Sequence, residues 1–328
     1  MYSPTPKDRY RYNKLASFLY NTLVHTAGTG RTKFLEKVWQ AAWTAHCRYF
    51  KSPVSTRIHG RKVIVNSGNT YPIYSRRFLE LNNPLIELVY QCYSFRKEPV
   101  TVIDVGSAIG DTILLLYSNC PNMISDFYCI DGDPEFYEYL KFNLRHLKEG
   151  KLIFALLSSA ETYEKELVRI HTGTASAQGE KEVVASTLDS IVEKLNPLQI
   201  DVLKTDVDGF DGKVLKGAKK IVNRYQPAVI FEWHPILCKQ TGNNWLDHFE
   251  ILDNLGYDNF LWFTKYGSFN HFMKNIDRKG IDLMAELCLK SKTNYDLHYD
   301  IIALHRDCKI SALALADMVF AKDRKSYY

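Results

Sequence analysis

The chain has 328 residues, of which 46% are hydrophobic and 24% charged, a composition that folds around a core and excludes a disordered or collagen-like chain. Its net charge of +5 is uneven: residues 1–62 hold 12 basic residues against Asp8 and Glu36, and the remainder has 30 basic to 35 acidic. No apolar run reaches the roughly 18 residues that cross a bilayer, and the opening MYSPTPKDRYRYNK lacks the apolar centre of a secretory signal. The seven cysteines (Cys47, Cys92, Cys120, Cys129, Cys238, Cys288 and Cys308) are scattered without a CxxC pair and read as reduced thiols of a cytoplasmic protein. The histidines show no HxxxH or HxH spacing, so no metal site is expected.

Residues 1–60 read as helical. Leu15, Phe18, Leu19, Thr22 and Leu23 recur at three- and four-residue spacing, as do Phe34, Val38, Ala41 and Ala42, with Ala27–Gly30 between the two runs. From Arg57 to Ser75 the pattern turns β-rich around Val63, Val65 and Tyr71, with Asn66, Ser67, Gly68 and Asn69 as a turn cluster. Leu85–Tyr93 then reads as a short helix. Seven strands are expected at Val100–Val105, Phe127–Ile130, Leu152–Leu157, Val202–Thr205, Ala228–Phe231, Phe260–Phe263 and Tyr299–Leu304. Helical patterns at Pro134–Leu147, Leu188–Leu195 and Gly212–Tyr225 lie between them, which predicts a parallel sheet covered on both faces. Three parts follow: a helical extension with a hairpin (1–95), the α/β domain (96–305), and a tail (306–328) with a helix at Ile310–Phe320.

Thr101–Leu115 is an apolar strand, a glycine turn and an apolar helix in succession. Gly106 permits positive φ or close approach of a ligand, and Gly110 permits tight strand–helix packing. The next strand ends in Asp131, 21 residues after Gly110, where a carboxylate can accept both hydroxyls of a ribose. The glycines fall as GxxxG instead of GxGxxG, and Asp104 and Asp111 place negative charge where a dinucleotide carries its phosphates. A cationic nucleoside such as S-adenosylmethionine suits that setting better. Asp133 and Pro134 read as a helix cap.

Further carboxylates, Asp206, Asp208 and Glu232, fall at the ends of two later strands. Here the pattern resembles the FkbM-type family of S-adenosylmethionine-dependent methyltransferases. The blocks are DVGSAIGD (Asp104–Asp111), DGDP (Asp131–Pro134), TLD (Thr187–Asp189), KTDVDG (Lys204–Gly209), LKGA (Leu215–Ala218) and VIFE (Val229–Glu232), closed by YDIIAL (Tyr299–Leu304). Ala108 replaces the family's common Asn, Asp131 its usual Glu, and Asp208 the common Glu.

The resemblance implies a Rossmann-like class I methyltransferase fold, α/β with a mostly parallel seven-stranded sheet and helices on both faces, plus the helical N-terminal extension. It implies S-adenosylmethionine held by Asp104, Gly106, Ser107, Ile109, Gly110, Asp111, Thr112, Asp131, Gly132, Ser158 and Asp206. A hydroxyl acceptor needs a base, and the candidates are Asp206, His234, Asp208 and Glu232, with His234 suited by its near-neutral titration. Asp189, Lys216 and Gly217 read as structural. The expected reaction is O-methylation of a sugar, glycan-lipid or other small molecule with no metal, the alternative being a divalent cation shared by Asp208 and Glu232. The basic arm with Tyr10, Tyr12, Tyr20, Trp39 and Trp43 keeps a nucleic-acid methyltransferase in view, but Asp206–Gly209 stands where base methylases carry N/D-P-P-Y/F. A silent binding module of the same fold is the other alternative. Residues 1–95, Thr241–Trp245 and Tyr266–Leu297 are the expected specificity parts, with His271, Lys274, Arg278 and Lys292 available to an anionic acceptor. The arm, residues 1–62, is expected to make peripheral contact with an anionic membrane.

Overall fold

The computed structural model describes residues 12–27, 32–169, 175–290 and 297–325. Two helices open it, α1 (Lys14–Thr26) and α2 (Lys33–Tyr49), capped by Asn13 and Thr32 side chains that accept from Ala16 and Leu35 N–H groups. The hairpin β1 (Val54–Ile58) and β2 (Arg61–Val65) follows, then α3 (Tyr71–Arg77) and α4 (Asn83–Arg96). The hairpin turns at His59 and Gly60, both at positive φ as a type I′ turn requires. The expected turn cluster at Asn66–Asn69 links β2 to α3.

The α/β body runs β3 (Val100–Val105), α5 (Asp111–Asn119), β4 (Ile124–Asp131), α6 (Pro134–Asn143), β5 (Gly150–Phe154), β6 (Leu156–Leu157), β7 (Thr162–Arg169), β8 (Ala175–Ser186) and α7 (Leu188–Leu195). It continues β9 (Val202–Thr205), α8 (Asp211–Lys216), α9 (Lys219–Tyr225), β10 (Ala228–Trp233), α10 (Pro235–Gln240), α11 (Asp247–Asn254), β11 (Tyr257–Thr264), β12 (Phe269–Lys274), α12 (Arg278–Lys290), β13 (Tyr299–His305) and α13 (Ala312–Lys325). The main sheet has the order β12-β11-β13-β10-β9-β3-β4-β5. The run from β5 to β10 is parallel, and β13 lies antiparallel to both β10 and β11.

All seven expected strands are present, and β12 is an eighth, a half-exposed antiparallel edge whose pattern the sequence does not mark. The expected strand at Leu152–Leu157 divides. The chain leaves the main sheet at Ala155, and β6 joins β7 and β8 in a separate three-stranded sheet. The helical run Gly212–Tyr225 also divides, at Gly217, where a Cβ would lie 2.3 Å from the Ser158 carbonyl oxygen. The Asp189 carboxylate accepts from the N–H groups of Lys220 and Ile221 and so restarts the helix as α9, a structural role.

The core lies on both faces of the main sheet, as alternation along β3 requires. Val100 and Val102 pack with α4, α5, α6, α13 and the N-terminal Tyr20, Val54 and Ile58, while Ile103 and Val105 pack with α7, α8, α9, α11 and α12. The N-terminal elements therefore share one apolar cluster with the sheet. They do so by an unexpected face. On α1 the buried side chains are Ala16, Ser17, Tyr20 and Val24, and the stripe Leu15, Phe18, Leu19 and Thr22 points to solvent.

Candidate functional site

The carboxyl ends of β3, β4 and β9 open on a cleft of about 950 Å³, its mouth included. Gly106 sits at φ +79°, and a Cβ there would lie 1.9 Å from the Asp206 carbonyl oxygen, so no other residue lets β3 and β9 approach so closely. Asp131, at the end of β4, accepts from Ala108 N–H through Oδ2 at 2.7 Å and from Asp133 N–H through Oδ1 at 2.8 Å. Each oxygen keeps a lone pair for a ligand. Burial pushes the Asp131 carboxyl up to about 7, against the two N–H bonds that favour its charge. Ala108 stands at φ +43°, a left-handed position that Asn tolerates better than Ala, so the substitution costs backbone strain as well as a polar group. Across the cleft Phe136, Leu156, Leu157, Leu167, Phe210 and Val214 form an apolar wall.

Of the residues expected to hold the donor, Gly106, Asp111, Thr112, Asp131, Gly132 and Asp206 line this cleft, and Asp208 joins them. Five other expected contacts turn away from it. Ser107 is buried and donates its hydroxyl to the Asp104 carbonyl, closing the turn. Ile109 is a core side chain, and Gly110 makes room for Leu144 and Leu140. Ser158 is buried and bonds Glu164, so the wall there is Ala155–Leu157 instead. Asp104 is fully buried behind the cleft, 3.6 Å from Lys204 Nζ. The acid of the first strand therefore holds a lysine, and the lysine meets the ligand space.

A second cleft of about 940 Å³, mouth included, begins where the first ends. Asp111, Thr112, Lys204 and Asp206 line both. Its remaining walls come from distant parts of the chain: Tyr71, Tyr74, Leu81 and Asn82 around α3, Ile230, Phe231 and Glu232 on β10, Lys265 and Tyr266 after β11, and His298 and Asp300 at β13. The mouth is pinned by Phe78 stacked on Tyr266 at 3.9 Å and by Gly267, whose absent side chain lets the β11–β12 turn meet the Glu80 carbonyl.

His234 is not on either wall. It is buried at the start of α10 with its ring stacked on His298, centroids 4.5 Å apart. The histidine that lines the second cleft is His298, whose Nε2 lies 3.4 Å from Glu232 Oε1. Antiparallel pairing explains the exchange: Glu232 opposes Asp300 and Trp233 opposes Tyr299, so the next positions on the two strands are the two histidines. Asp208 faces the first cleft only, and Glu232 and Asp206 reach the second. Thr241–Trp245 supports the turn after β9 through an Asn243 bond to the Gly209 carbonyl. Lys274 and Arg278 are paired with Asp258 and Glu250, His271 stacks on Trp262, and none of the three lines either cleft. Lys292 lies outside the described residues.

The junction is strongly acidic. Burial opposes the charge of Lys204, yet Asp206 at 3.0 Å, with Asp104 and Asp111, outweighs it and raises the ammonium above its usual range. Burial pushes Asp111 and Asp300 up to about 7. Burial, then the charges of Asp206, Asp208, Asp211 and Asp300, raises Glu232 well above the carboxylate range. Glu232 Oε2 is buried with no hydrogen-bond partner among the described residues, an acceptor or donor position open to a ligand. Among the described residues no group of three His, Cys, Asp or Glu side chains is arranged to hold a metal.

Residues 104–258 match the sequence profile of the methyltransferase FkbM domain. This segment is an FkbM-type methyltransferase domain. No curated protein sequence matches the chain. Among solved structures it is similar to the FkbM methyltransferase of Methylobacillus flagellatus KT, with 14% identity and a TM-score of 0.37 over 50% of this chain and 40% of that one. It is also similar to the METTL16 methyltransferase domain (12% identity, TM-score 0.42, 92% of each chain). A third is an S-adenosylmethionine-dependent methyltransferase of Aquifex aeolicus (11%, 0.34, 71% of this chain and 96% of that one).

The FkbM domain has the Rossmann-like class I methyltransferase fold, and its methyl donor is S-adenosylmethionine. The first cleft fits that group. Its lining residues include five aspartates and one cation, Lys204, already committed to Asp104 and Asp206, so a sulfonium and an ammonium are favoured over phosphates. Asp131 would be the residue to hold the ribose, and the cradle at Gly106 is one that a Cβ would fill.

Proposed function

We propose that the chain is an S-adenosylmethionine-dependent O-methyltransferase acting on a hydroxyl of a sugar-like acceptor held in the second cleft. The observation that carries this reading is the junction: the nucleoside-shaped cleft and the cleft holding His298 share Asp111, Thr112, Lys204 and Asp206. The bound donor supplies an electrophilic methyl group. The chain must then align the acceptor and take its proton, because an alkyl hydroxyl is a poor nucleophile near neutrality.

In this reading His298 accepts the hydroxyl proton, and Glu232 at 3.4 Å orients the imidazole. Lys204 fixes Asp206 at the boundary between the clefts. Tyr71, Tyr74 and Tyr266 give the cleft aromatic surface for the C–H faces of a sugar, and Asn82, Glu232 and Asp300 supply polar groups for its hydroxyls.

The test is methyl transfer from labelled donor into fractionated cell extract. An alkali-stable methyl ether in the saccharide or lipid fraction, lost in His298→Ala, supports the reading. An alkali-labile methyl ester, or label confined to nucleic acid, overturns it.

A further inference from the structure

We infer that the outer faces of α1 and α2 form a docking surface for an anionic lipid bilayer. The two helices make a hairpin joined by a Trp39 Nε1 bond to the Leu23 carbonyl and by packing of Tyr20 against Trp43. Each helix has a stripe at the spacing that normally marks a core face, and each stripe faces solvent. On α1 it contains Leu15, Phe18 and Leu19, with Leu15 60% and Phe18 69% exposed. On α2 it contains Phe34, Val38, Ala41, Ala45 and Tyr49, with Phe34 72% and Tyr49 75% exposed. Of the 17 residues of α2 only His46 is buried. A helix that turns its aromatic and aliphatic side chains outward has the arrangement of an interfacial helix, whose apolar side enters the acyl boundary of a bilayer.

Charge selects the occupant. Lys33, Lys37 and Arg48 run along one edge of the α2 stripe, and Glu36 is the one acidic residue among described residues 12–62. Beside α1, an open groove is lined by Arg57, Lys62 and Arg76 with no acid among its lining residues. Anionic headgroups meet both the cationic border and the apolar stripe. Nucleic acid would leave the stripe uncovered, and a second copy would set two cationic borders against each other.

The surface is also tied to the second cleft. Tyr20 of α1 donates to the Asn69 carbonyl at 2.6 Å, Asn69 Oδ1 accepts from Tyr71 N–H, and Arg76 bonds His25 at 3.2 Å. A bilayer on this face therefore lies beside the element that carries Tyr71 and Tyr74. The inference stands whether or not the acceptor is a hydroxyl.

Co-sedimentation of the full chain with phosphatidylcholine vesicles, with and without phosphatidylserine, tests it. Binding is expected to the phosphatidylserine vesicles and to fall as salt rises. Phe34→Ser/Val38→Ser should abolish binding, and Lys33→Gln/Lys37→Gln should weaken it by about tenfold or more. All four positions are exposed, so the melting temperatures of both variants should match that of the parent chain. Failure of the parent chain to bind, or undiminished binding by Phe34→Ser/Val38→Ser, overturns the inference. So does a concentration-dependent dimer in sedimentation that the same variant dissociates, since the stripe then belongs to a second copy.

Discussion

The two clefts meet at Asp206 but are built differently. The first is made by consecutive strand ends and short motifs: Gly106 and Ala108 after β3, Asp131–Asp133 after β4, and Asp206–Asp208 after β9. The second is gathered from α3, β10, the β11–β12 turn and the start of β13, a span from Tyr71 to Asp300. A nucleoside cleft is the same problem wherever this sheet occurs, and contiguous residues solve it. On the proposed reading the second cleft takes the acceptor, and only tertiary packing assembles it.

The sharpest way to break this division is to attack each half separately. Gly106→Ala places a Cβ against the Asp206 carbonyl at positive φ, so it should cost more than about 2 kcal/mol and abolish S-adenosylhomocysteine binding, as thermal melts and calorimetry will record. His298→Ala should lower kcat by roughly 10²- to 10⁴-fold while leaving S-adenosylhomocysteine affinity unchanged, and His234→Ala should cost far less. If the two histidine variants are equally impaired, the base has been assigned to the wrong ring. Asp131→Ala should weaken S-adenosylhomocysteine by about 100-fold in calorimetry, the loss of two charge-assisted hydrogen bonds to the ribose.

The smallest effect is in pH. Asp111, Asp131, Asp211 and Asp300 are held at about 7 in the folded chain, above their unfolded values near 4. Their contribution to stability is therefore fully present below about pH 4 and is lost as pH rises through about 7. Ligand binding runs the other way, since the ribose and the ammonium group require ionised carboxylates. The rise in melting temperature on adding S-adenosylhomocysteine should widen between about pH 6 and pH 8; a constant gap would mean that these acids do not meet the ligand.

The sheet was legible in the sequence because strands between helices read as apolar runs, and seven of its eight strands lie where those runs fall. The half-exposed edge β12 and the departure of the chain at Ala155 leave no such run. For the nucleoside cleft, the motifs identify Gly106, Asp131 and Asp206, but they do not say which neighbours turn inward, as Ser107, Ile109 and Ser158 do. His298 was hidden for a different reason. It stands 66 residues from Glu232, and only the antiparallel register of β10 and β13 brings the two together. The helices α1 and α2 were legible from their three- and four-residue spacing, but periodicity cannot say whether an apolar face is covered by the same chain.

The most direct test of two clefts sharing one boundary is a crystal structure with S-adenosylhomocysteine. The ribose hydroxyls should bond Asp131, and the sulfur should sit at Asp111, Thr112 and Asp206, facing the wall of Glu232 and His298. A nucleoside seated among Tyr71, Tyr74 and Tyr266, or a sulfur turned away from the second cleft, would contradict it.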